Sequence, residues 1–104
     1  MTRQIDFTGK SGAVYRYTIL EDERFLPPVG ANFIVAEVEG QGARVLFVGE
    51  TESLSARAWE PMVESARRPG VRVEVLTRLN VRSAIRREEC EDLVQSYAPP
   101  LNAG

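Results

Sequence analysis

Two apolar, β-rich runs, Phe33 to Val38 and Arg44 to Val48, lie either side of Glu39-Gly40-Gln41-Gly42-Ala43. A connection of that length, rich in glycine, suits an antiparallel hairpin, because glycine supplies the backbone angles that a reversal between twisted strands demands. The hairpin is expected to form the centre of a sheet. Upstream, Ile5 and Phe7 alternate with polar neighbours, Gly9-Lys10-Ser11-Gly12 supplies turn residues, and Tyr15, Tyr17 and Ile19 alternate again. This predicts a second, N-terminal hairpin. Val71, Val73, Val75 and Thr77 repeat with period two, the pattern of a strand with one face buried.

Between these strands the punctuation is clear. Glu21-Asp22-Glu23 and Pro27-Pro28-Val29-Gly30 predict a loop, since proline lacks the ladder donor and restricts the residue before it. After Gly49, Thr51 is the expected N-cap of a short helix that carries Leu54 and Ala58 on one face and ends near Trp59. A second helix is expected to start with Pro61 in its first turn and to end before Pro69-Gly70. Ser83 to Tyr97 is the last helix, capped by Ser83 and stopped by Pro99-Pro100. The fold class is therefore α+β, a central antiparallel sheet flanked by helices.

A chain of 104 residues is expected to form a single domain over 1–104, with the hairpin and proline-rich loop in 1–29 and the core in 30–102. No apolar run approaches the length of a membrane span. Met1-Thr2-Arg3-Gln4-Ile5-Asp6 lacks the basic start and apolar block of a secretory signal, and Cys90 is a lone thiol, so cytoplasmic residence and no membrane partner are expected. The sequence contains no histidine, which excludes Ser/His and Cys/His catalytic pairs and histidine metal sites. Chemistry must use carboxylates, hydroxyls or arginine; every cation except Lys10 is an arginine.

Phe33, then Phe47-Val48-Gly49, then Arg57 eight residues after that glycine, resemble the spaced motifs of the GIY-YIG endonucleases. Leu93-Val94 followed by Pro99-Pro100-Leu101-Asn102 resembles the closing helix of that family and its P-x-x-N element. The resemblance covers roughly residues 30 to 102. It implies a three-stranded antiparallel sheet with helices against it, a shallow site and a single divalent metal, Mg2+ or Mn2+. It also implies cleavage of a DNA phosphodiester. In the family, tyrosine hydroxyls handle the attacking water, the arginine holds the phosphate and a helix glutamate ligates the metal.

This chain departs from that set. The first motif falls on Ala31 and Phe33 and the second tyrosine on Phe47, so both hydroxyls are gone and the rings remain as packing groups. The metal glutamate position falls on Cys90, a poor ligand for magnesium. Cys90, Leu93, Val94 and Tyr97 follow i, i+3, i+4, i+7, so the thiol faces the sheet while Glu89 and Glu91 point about 100° to either side. Glu50 stands where a basic residue often follows the second motif. Arg57 is retained and, with the Gly49 backbone, is the expected phosphate contact, set against a solvated helix arginine or a partner for Glu50; Asn102 is the structural asparagine.

The expected function is a domain of the GIY-YIG superfamily that has lost efficient nuclease chemistry and keeps a binding role toward nucleic acid or a protein. The alternative is an active Mg2+- or Mn2+-dependent DNA endonuclease with Arg57 on the phosphate and Glu89 or Glu91 on the metal. A third reading is a protein interaction module using a sheet edge or the Pro27-Pro28 loop. Arg67-Arg68, Arg72 and Arg78 form a candidate basic strip, and Tyr15 and Tyr17 are candidates for base stacking set against ordinary strand packing. The charges on Glu88-Glu89 and Glu91-Asp92 are a candidate cation cluster, set against a solvated face paired with Arg86 and Arg87.

Overall fold

A computed structural model describes residues 3–21, 24–39 and 42–102. Its strands are β1 (Gln4–Thr8), β2 (Val14–Ile19), β3 (Ala31–Glu39), β4 (Gly42–Thr51) and β5 (Val73–Leu79). They form one sheet in the order β1-β2-β5-β3-β4, with every neighbouring pair antiparallel. Helix α1 (Glu60–Ala66) lies between β4 and β5, and α2 (Ser83–Tyr97) follows β5. Two 3₁₀ turns cover Leu54–Ala56 and Pro100–Asn102. Among the described residues no helix is long and apolar enough to cross a membrane.

Both hairpins form as their alternation predicts, but the second is not the centre of the sheet. β5 takes that place: it pairs with β3 along its length, Ala31↔Leu79 to Glu37↔Val73, and with the end of β2 at Thr18↔Thr77 and Ile19↔Leu76. Alternation fixes which face of a strand is buried and leaves its neighbours open. The N-terminal hairpin thereby joins the same sheet, making it five-stranded where the family resemblance implies three.

The sheet has an apolar cluster on each face. On one side Phe7, Tyr17, Ile19, Ile34, Ala36, Val45, Val48 and Leu76 pack beneath Leu93 of α2. On the other, Ala31, Phe33, Val35, Leu54 and Trp59 form a second cluster to which Met62 and Val63 of α1 and Leu26 and Val29 of the loop add. The register of β3 on β4 shifts between Val35 and Ala36, with Val35↔Phe47 followed by Ala36↔Val45, so Leu46 is an extra residue in the edge strand.

No helix starts at Thr51. Thr51 stays in β4, and its hydroxyl bridges Ser53, donating to the carbonyl at 3.0 Å and accepting from the N–H at 3.2 Å. Ser53 and Ser55 share a 2.7 Å hydrogen bond. Such local side-chain bonds compete with helical ones, and only a 3₁₀ turn survives. Arg57 ends it in the left-handed region, φ 52° and ψ 49°. α1 carries Pro61 in its first turn, as the sequence predicts. α2 spans the predicted residues, but its cap is Arg82, which makes no side-chain capping bond, and Ser83 is its first helical residue. Ala98 closes it at φ 44°, with its N–H donating to the Val94 carbonyl at 2.9 Å. The following Pro99 forbids continuation.

Both edges of the sheet are tied by side chains. The Asn102 amide accepts from the Val48 N–H at 2.8 Å and donates to the Val48 carbonyl at 2.9 Å, imitating one residue of a sixth strand beside β4. At the far edge the Thr8 N–H donates to the Tyr97 hydroxyl at 3.2 Å, and Ser96 donates to the Thr8 carbonyl at 2.8 Å.

Candidate binding site

Cross-strand register brings the motif residues of β3 and β4 together. Phe33 lies opposite Gly49, and its ring stacks on Phe47 with centroids 5.8 Å apart and planes at 27°. Trp59 meets the edge of Phe33, also at 5.8 Å. A Cβ on Gly49 would come within 2.7 Å of both phenylalanine rings, tighter than real contacts allow, so the rings themselves require that glycine. Phe33 and Trp59 are 2% and 1% exposed. Where the resemblance places two hydroxyls over a scissile phosphate, this chain has packed aromatic core.

Arg57 lies on the same side. Its left-handed backbone, uncommon outside glycine, asparagine and aspartate, turns the chain between the 3₁₀ turn and Trp59. It lines a cavity of about 290 Å³ between α1 and β5, with Trp59, Val63, Val73 and Val75. Within α1 the lining residues Glu60, Val63 and Glu64, continued by Arg67, follow i, i+3, i+4, i+7, the stripe one helix face presents. A second cavity of about 550 Å³ shares Val63, Arg67 and Val73 and is completed by Arg68, Pro69 and Val71. The two make a trough along the α1–β5 seam. A third, about 180 Å³, adds Glu37 and Arg44 at the end of α1. Together these cavities are lined by four arginines, 44, 57, 67 and 68, and four glutamates, 37, 60, 64 and 74. Arg68 and Arg44 both pair with Glu37, and Arg72 pairs with Glu74.

The remaining family positions lie across the sheet. Cys90 packs against the α2-side cluster, and its thiol points at the Val48 carbonyl at 3.6 Å. Glu89 is held by Arg78 at 2.9 Å, which removes Arg78 from the expected basic strip, and Glu91 is exposed. Glu89 and Glu91 line a cavity with Ser11, Tyr15 and Asp92, whereas Arg57 lines one with Trp59 and Val63. Among the described residues no group of three Cys, Asp or Glu side chains is gathered to hold a metal ion. The residues present thus do not fit the single-metal site that the resemblance implies. Tyr17 is fully buried and unavailable to a base, while Tyr15 donates to Asp92 at 2.7 Å. Ser11 and Tyr15 donate to the Asp92 carboxylate and hold it below the usual range.

No family model, curated protein or solved structure matches this chain.

Sequence reasoning missed the polar centre of the α2 face. Arg86 is 3% exposed; its Nε donates to Glu50 at 2.7 Å and its Nη1 to the Asn80 carbonyl at 2.9 Å. Asn32, fully buried, donates to the Arg86 carbonyl at 2.9 Å and accepts from Asn80 at 3.4 Å. Glu50 therefore serves the fold, tying β4 to α2, and Arg86 is not a surface partner of its helix neighbours. The available signal was position: Arg86 precedes Cys90 by four and extends the buried stripe one turn toward the N-terminus.

Burial, with Glu50 and Glu91 nearby, pushes the Cys90 thiol from about 9 up to about 11. Because the folded state holds this proton more tightly, the stabilisation is complete below pH 9 and is lost as pH rises toward 11. Stability measured by urea melts is expected to fall over that window more steeply in the native chain than in Cys90→Ala. Equal slopes would show that the thiol is not desolvated.

Proposed function

We propose that this chain is a non-catalytic protein-binding domain built on the plan of the GIY-YIG superfamily. The plan is supported by two motif blocks in the right order, Phe47-Val48-Gly49 to Arg57 and Leu93 to Asn102, in an α+β chain with an antiparallel sheet. It is also supported by the clamp that the P-x-x-N asparagine makes on the second motif's own strand. Loss of chemistry follows from the missing hydroxyls and from a sheet standing between Arg57 and the α2 carboxylates.

The observation that carries the binding role is the trough along α1 and β5. Its lining mixes Trp59, Val63, Val71, Val73 and Val75 with a balanced charge, four arginines and four glutamates, and suits a polypeptide surface. A nucleic-acid backbone presents a continuous row of negative charge and calls for a clear excess of cations.

Purified protein incubated with single-stranded, duplex and branched DNA and Mg2+ or Mn2+ is expected to leave all three intact and to bind them weakly. Cleavage abolished by Arg57→Ala would restore the nuclease reading. Tight binding that falls steeply with salt and depends on Arg57, Arg67 and Arg68 would replace the protein partner with a nucleic acid.

A further inference from the structure

We draw no further inference here: the strongest candidate, the acidic cavity of about 430 Å³ between α2 and the turn joining β1 to β2, carries nothing, because Asp92 is taken up by Ser11 and Tyr15, Glu89 by Arg78, and no other feature among the described residues there points to a ligand.

Discussion

Replacing Arg86 with alanine is expected to cost about 3 kcal/mol of stability, among the larger effects of any single surface-distant substitution in this chain. The guanidinium is 3% exposed and its Glu50 partner 34%, so the variant leaves a carboxylate half-sheltered with no cation and the Asn80 carbonyl with no donor. A buried pair adds little when intact, because desolvation offsets attraction, yet removing one member leaves the full penalty. The partial exposure of Glu50 keeps the cost at the lower end of the range for such breaks. For a domain of this length 3 kcal/mol corresponds to a fall in melting temperature of about 14 °C. Gly30→Ala should act in the same direction, since a Cβ there runs into the Arg86 guanidinium and lies 2.9 Å from the Asn80 carbonyl. Arg78→Ala, at a pair whose arginine is one-third exposed, should cost about 1 kcal/mol or less. If Arg86→Ala and Arg78→Ala melt together, the polar centre under α2 does not hold the helix.

Asn102→Ala is expected to cost about 2 kcal/mol and to leave β4 unguarded. One side chain satisfies both the N–H and the carbonyl of Val48, and each buried group left unpaired costs about 1–3 kcal/mol, reduced here because water can reach a half-buried site. Asn102→Asp separates the two bonds: it keeps an acceptor for the N–H but sets an oxygen against the carbonyl. Hydrogen exchange at the Val48 amide should therefore accelerate strongly in Asn102→Ala and less in Asn102→Asp. An exposed strand edge also templates pairing with other chains, so Asn102→Ala should aggregate more readily on heating. Unchanged exchange at Val48 would mean that the edge is protected by something other than the asparagine.

The strands were legible because a sheet with two covered faces imposes period two on the sequence, and Tyr15, Tyr17, Val73 and Val75 keep it. Their order was not legible, because alternation records which face a strand buries and not which strands flank it. The segment after Gly49 misled for a local reason: Thr51 looks like a helix cap, but its hydroxyl bridges the backbone of Ser53, and the Ser53 and Ser55 hydroxyls bond to each other. At the candidate site, helical spacing placed Cys90 toward the sheet, whereas Arg57's left-handed backbone had no sequence signal, since glycine is the residue that normally announces it. Arg86 was hidden by its own type, because an arginine on a helix rich in charge reads as solvated until its burial is seen.

The central position of β5 also bears on how the chain reaches its fold. Each hairpin joins neighbours in sequence and forms from local contacts, but in the sheet the two hairpins are joined through β5, where Ile19 pairs with Leu76, 57 positions later. Closing so long a loop is entropically slow, and contacts of this separation set the pace of small β-rich domains. During synthesis the N-terminal hairpin, β3 and β4 emerge with no strand to unite them. The inner edges of β2 and β3 stay open until the ribosome has delivered Leu79, so the middle strand of the sheet is made after the four it unites.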